Sequence, residues 1–136
     1  MLDKMYDMVL EFTKAYNFQV GDENTVITDF LRKQRLDLIH EEICEYENAK
    51  MKGDRLEMLD ALCDIMYVVL GSHITFGIPL KMSNKETELC DFTDELTHGD
   101  KAATALYLTS ISSNVLYKSV LLNVEFKKAF TEVHRS

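Results

Sequence analysis

The stretch GDRLEMLDALCDIMYVVLG, residues 53–71, decides the fold of this chain. Gly53 and Asp54 make a break, the glycine suited to ending one helix in a left-handed conformation and the aspartate to capping the next. After them Leu56, Met58, Leu59, Leu62, Ile65, Met66, Val68, Val69 and Leu70 surround a helix that runs to Phe76, where Gly77-Ile78-Pro79 ends it. A helix apolar nearly all the way round belongs in a core. Against that background Glu57, Asp60 and Asp64 stand at i, i+3 and i+7, within about 60° of one another on one stripe. A carboxylate in an apolar setting is strongly disfavoured unless something positive meets it. Gly71 continues the stripe and leaves room one turn further on.

Immediately upstream, a helix is expected from Thr28 or Asp29, either of which can cap it, to about Met51. Leu31, Leu38, Ile39, Ile43, Tyr46 and Ala49 share one broad arc of it, and Glu42 and Glu45 fall inside that arc. Glu41 sits at the edge beside Asn48, while Asp37, His40 and Glu47 occupy the opposite, solvated face. The short Gly53-Asp54 turn makes the two helices antiparallel neighbours, so their acidic faces meet.

Working further outward, residues 2–16 carry Leu2, Met5, Met8, Val9, Phe12 and Tyr16 at helical spacing, and FQVGDEN (18–24) reads as a loop. Residues 81–100 are polar and acidic, a loop with a short helix over 85–96. Two more helices are expected over 101–117 and 119–134. The expectation is a single all-α domain over residues 1–136, a bundle of four to five main helices.

Composition agrees. Of 136 residues 46% are hydrophobic, which argues against disorder, and one proline with five glycines favours long helices. The net charge of −8 argues against nucleic acid or an anionic membrane as partner, because phosphate contacts need clustered Lys and Arg. A nucleotide held through a metal is still allowed, since the cation reverses the local sign. Cys44, Cys63 and Cys90 lack CxxC spacing and read as small buried or half-buried apolar residues in a reducing cytoplasm. MLDKMYDMVLEF is too mixed for a signal peptide, and the apolar run 65–80 is too short to span a bilayer. A soluble cytoplasmic protein is expected.

Carboxylates in this number suit Mg²⁺, with Mn²⁺ as a substitute, and helices hold their oxygens rigidly. Each acid also has a plainer role. Asp54-x-x-Glu57 is a capping box, so Glu57 either ligates metal or satisfies a helix end. Glu41 is surface or base, and Arg35 either holds phosphate or pairs with a carboxylate. A ferritin-like di-iron site is disfavoured, because Glu45-x-x-Asn48 and Asp64-x-x-Tyr67 lack the histidine it wants. His73 reads as a core histidine. Tyr67, Phe12, Phe18, Asn114 and Tyr117 fit either a base pocket or the core.

Glu41-Glu42-x-x-Glu45, then Gly53-Asp54, then Asp60-Ala61-Leu62-Cys63-Asp64 resembles the all-α nucleoside triphosphate pyrophosphohydrolases. These include MazG proteins, dimeric dUTPases and phosphoribosyl-ATP pyrophosphohydrolases, and the last branch is nearest. Val9-x-x-Phe12 before Phe18 resembles its first helix, and Phe130-Thr131-Glu132-Val133-His134-Arg135-Ser136 its C-terminal motif. The resemblance implies hydrolysis of a nucleoside triphosphate, a dNTP above all, between the α and β phosphates. Glu42, Glu45 and Asp64 match the metal ligands, and Glu41 a second-metal ligand or water-activating base. His134 and Arg135 join Arg35 as candidates for binding phosphate. Two departures stand out. Ala61 replaces the Glu of the MazG ExxD motif, leaving Asp60 to supply that ligand, and the sequence stops at Ser136 where the family continues Asn-Met-x-Lys. Residues 81–128 match nothing in the pattern and stand as an insertion. The family's habit implies a homodimer or homotetramer. The alternative is a helical module on the same fold that binds nucleotide or protein without turnover.

Overall fold

The computed structural model describes residues 2–80, 101–121 and 126–135, and in them the chain forms helices α1 (Leu2–Ala15), α2 (Asp29–Lys52), α3 (Arg55–Phe76), α4 (Lys101–Leu121) and α5 (Phe126–Arg135). The boundaries of α2 and α3 follow from their caps. Thr28, in extended conformation, accepts a hydrogen bond from the Leu31 N–H at 3.2 Å. Gly53 ends α2 at φ 69°, and its N–H donates back to the carbonyls of Ala49 and Lys50. One residue on, Asp54 accepts from the Glu57 N–H at 3.1 Å and starts α3. Two helices joined by so short a turn must run antiparallel.

The core gathers on α3, which packs against α1, α2, α4 and α5. Leu62, Ile65, Met66, Val69 and Leu70 have no exposed surface. Met5 and Val9 of α1, Ile39 and Ile43 of α2, Ile111 and Val115 of α4, and Phe126 and Phe130 of α5 close on them. Each such side chain contributes roughly 1.5–3 kcal/mol by leaving water. Although the apolar run 65–80 is too short, α3 as a whole is long and apolar enough to cross a membrane by length and composition. Yet 72% of its most apolar window is buried by the neighbouring helices, as a core helix requires.

Several expectations change at the edges. In the first turns of α3 Met58 and Leu59 pack against the core while Leu56, Glu57 and Asp60 are exposed, so the acidic stripe enters partial burial only at Asp64. Leu38 is 44% exposed, because it lines an open cleft instead of the core. Cys44 is exposed on the outer face of α2, its Sγ 3.6 Å from His40 Nε2, while Cys63 is buried as expected. Glu47 is half-buried, one turn after buried Ile43 and on the same ridge. α4 continues to Leu121 instead of stopping at 117, since Tyr117-Lys118-Ser119 contains no breaker and the Ser119 hydroxyl bonds back to the Leu116 carbonyl at 2.7 Å. The short helix expected over 85–96, and Cys90, lie outside the described residues.

The loop between α1 and α2 is pinned at both ends of its path. The Gly21 N–H donates to the Ile74 carbonyl at 2.8 Å, bringing loop backbone directly onto the end of α3. From α4, Lys101 Nζ donates to the main-chain oxygens of Asp22, Glu23 and Thr25 at 3.1–3.3 Å. That loop carries Phe18 to the rim of the cleft described next.

Candidate functional site

Glu42 and Glu45 stand at i and i+3 on α2, which sets both carboxylates on one face toward α3. Asp64 answers them from α3, and one oxygen from each of the three lies within 4.8 Å of the others. Glu42 and Asp64 are half-buried, and Glu45 is exposed. Burial raises the Glu42 carboxyl from its ordinary 4.5 to about 7, with the charges of Asp64, Glu45 and Glu41 adding to the rise. Asp64 is raised by burial first, then by Glu45 and Asp60. Glu42 Oε2 is buried without a hydrogen-bond partner. Three carboxylates crowded against their own repulsion, one with an orphaned oxygen, fit a hard divalent cation, for which oxygen is the preferred donor.

The other acids flank this group. Asp60 and Glu57 are exposed and line a hollow with Glu45, Asn48 and Asp64, on the side away from the core. The 4.8 Å group does not include them. The Glu57 N–H is held by Asp54, so α3 is capped there by Asp54. Glu41 is exposed and faces the opposite side, where it lines a cleft of about 570 Å³.

The aromatic rings Phe12, Phe18 and Tyr67 wall that cleft, and Arg35 reaches into it. Phe12 meets Tyr67 edge-on at 5.5 Å and Phe18 at 6.2 Å. Arg35 has no carboxylate within ion-pairing distance among the described residues. Its Nη2 donates to the Thr75 hydroxyl at 3.2 Å, and burial lowers its pKa. The room at Gly71 is taken by this guanidinium: a Cβ there would stand 3.5 Å from Arg35 Nη1.

Between triad and cleft stands Tyr67. It shares a smaller hollow with Glu42, Asp64, Phe12 and His134, and its Oη lies 3.2 Å from His134 Nδ1. Burial, then the charge of Glu11, pushes the Tyr67 phenol up to about 12. Arg135 is exposed at the end of α5. His73 is a core histidine, its Nδ1 3.0 Å from the Ile78 carbonyl. Asn114 is buried in α4, and neither it nor Tyr117 lines the cleft. Cys63 is inert in this setting, since burial beside Asp64 and Asp60 pushes its thiol up to about 12.

Sequence reasoning singled out the acids, Arg35, Tyr67 and His134 separately, but it missed Thr75 and Gln34 and the pairings. Gln34 lines the cleft, and Thr75 lies 40 residues from the Arg35 it holds. A polar residue beside a helix end carries no local signal of such a partner.

No solved structure matches the chain. An uncharacterized protein of Acanthamoeba polyphaga mimivirus is 40% identical to it over 83 residues, covering 55% of this chain and 32% of that protein. The chain thus spans about a third of the length of the viral relative. A family profile described as phosphoribosyl-ATP pyrophosphohydrolase matches residues 9–89, a range that holds the acidic triad, the cleft residues from α1 to α3, and the turn between α2 and α3. Over that range and in its all-α architecture, the chain belongs to the phosphoribosyl-ATP pyrophosphohydrolase family of the MazG-like superfamily.

Proposed function

We propose that the chain hydrolyses a nucleoside triphosphate, a dNTP above all, between the α and β phosphates, giving the monophosphate and pyrophosphate. The observation that carries this reading is the meeting of Glu42, Glu45 and Asp64 beside an aromatic cleft that holds Arg35. Glu42, Glu45 and Asp64 would hold Mg²⁺, or Mn²⁺ in its place, with Asp60 one turn away as a further oxygen donor. When bound, the cation supplies charge neutralisation for the phosphates. Glu41, exposed on the cleft side of the triad, takes the proton of the attacking water on its carboxylate as the phosphoanhydride bond breaks. His134, which shares a hollow with Glu42 and Asp64, and Arg135 next to it in sequence would meet phosphate oxygens.

The broader role is removal or remodelling of nucleotide pools in the cytoplasm. The free thiols of Cys44 and Cys63 suit such a reducing compartment. A homodimer or homotetramer accounts for the exposure of Val26 and Phe30, at 78% and 70%. Light scattering reads the assembly state directly.

Incubating the protein with each dNTP and Mg²⁺ and assaying pyrophosphate tests the reaction. No turnover of any nucleotide by folded, metal-loaded protein overturns it. A second reading, a binding module without turnover, is favoured by Ala61, which places a methyl where the ExxD pattern has a carboxylate. Calorimetry with nucleotide, run beside the turnover assay, separates the two.

A further inference from the structure

Arg35 is a half-buried cation whose chemistry the triad does not use. Its guanidinium shares the cleft with Val9, Val68 and the Phe12 and Tyr67 rings, anchored by Thr75 and unpaired with any carboxylate among the described residues. It is seven residues from Glu42 on the same helix, hence about 10 Å along the axis and on nearly the same face. A nucleotide cleaved at the triad spans that distance with its base in one direction or its terminal phosphates in the other.

Two further observations favour a base over a triphosphate tail. The walls are aromatic and apolar, which suits stacking of a flat ring. Beyond Glu41 the cleft also carries Asp37, paired with Lys33 at 2.9 Å. Its carboxylate repels a polyanion lying further along the cleft, whereas a neutral base has no net charge to repel. Arg offers only donors, so what it recognises is an acceptor on that base. Guanine, thymine, uracil and cytosine carry a ring carbonyl. Adenine carries none: its acceptors are ring nitrogens, and beside N7 and N1 stands the N6 amino group, a donor that a donor-only guanidinium opposes.

Resting on the pyrophosphohydrolase reading above, we infer that the Phe12–Phe18–Tyr67 cleft takes the nucleobase and that Arg35, positioned by Thr75, selects bases bearing a ring carbonyl over adenine. Thr75 is then a positioning residue, and Gly71 the gap that admits the guanidinium.

The test compares kcat/KM for dGTP, dTTP, dCTP and dATP in the wild type, Arg35→Met and Thr75→Val. The wild type is expected to prefer at least one carbonyl-bearing base over dATP by about tenfold or more. Arg35→Met should bring that ratio near unity while dATP turnover persists, and Thr75→Val should weaken the preference mainly through KM. An equal loss on all four nucleotides makes Arg35 a phosphate anchor and overturns the inference, as does an unchanged ratio. Should no dNTP be hydrolysed, calorimetric binding of the four deoxynucleoside monophosphates with Mg²⁺ still decides. A carbonyl preference lost in Arg35→Met upholds base selection although the hydrolysis reading has failed. Binding without preference, or no binding, overturns it.

Discussion

Tyr67 and His134, 67 residues apart in sequence, meet with Oη 3.2 Å from Nδ1 and their rings stacked at 6.0 Å. Phe130 stacks on the same tyrosine at 5.7 Å, so one side chain of α3 ties α5, already packed through Phe126 and Phe130, to the hollow of Glu42 and Asp64. The end of the described chain is thereby built into the wall of the acidic site.

Tyr67→Phe removes the hydrogen bond and keeps the stacking. It should cost about 1 kcal/mol in urea unfolding. His134→Ala loses both and should cost more. A double-mutant cycle with no coupling between the two would show that the contact contributes nothing.

Glu45→Gln and Asp64→Asn should each lower turnover by at least about a hundredfold, because transition-state charge loses its neutralising cation. Both should also abolish thermal stabilisation by Mg²⁺, which amounts to about 2.7 kcal/mol at a hundredfold excess over Kd. Retained Mg²⁺ stabilisation in both variants would remove these residues from the ligand set.

The raised Glu42 carboxyl gives the metal-free protein a pH dependence of definite sign. Between its ordinary 4.5 and about 7 the folded state holds the proton more tightly than the unfolded chain does. Stability from this group is therefore full below 4.5 and lost as pH rises through about 7. Melts without metal should show lower stability at pH 8 than at pH 5.5, Glu42→Gln should flatten that difference, and Mg²⁺ should stabilise more at pH 8.

His73 pushes the opposite way. Burial lowers its pKa below the ordinary 6.5, and Nε2 is buried without a partner. The unfolded chain then binds the proton more readily, so stability is full above 6.5 and falls as pH drops below it. His73→Gln should remove that acid-side loss, measured in the Glu42→Gln background so that the two effects do not cancel.

Three glycines separate conformational strain from crowding. Gly53 and Gly77 have nearly the same φ, 69° and 68°, yet a Cβ at Gly53 meets nothing within 4 Å, whereas at Gly77 it strikes the backbone of Asp22. Gly53→Ala should cost about 1 kcal/mol. Gly77→Ala should cost clearly more. Gly21→Ala, whose Cβ would strike the Thr75 carbonyl, should resemble Gly77→Ala, and thermal melts give the order.

Most of the helical framework was legible because its signals are local. Thr28, Gly53-Asp54 and Gly77 mark helix ends through bonds to residues within a turn, and the structure places α2 and α3 between them. Leu38 and Glu47 were misplaced because an arc drawn on one helix cannot say which part of it a neighbour covers. The end of α4 was misplaced because serine hydroxyls there bond back into the helix without stopping it. Of the acids, Glu42 and Glu45 could be paired on spacing alone, since i and i+3 are fixed by helical pitch.

By itself, then, the sequence determined an apolar central helix, its capped antiparallel partner and acids facing one another across their turn, all consequences of periodicity within about twenty residues. Only tertiary structure decided which carboxylates meet. Asp64 joins Glu42 and Glu45 within 4.8 Å, while Asp60 and Glu57, in the first turns of α3, face solvent. It also joined Arg35 to Thr75, Tyr67 to His134 and Lys101 to the α1–α2 loop. Those distances depend on how packed helices lie against one another, a property of the whole core and of no single segment.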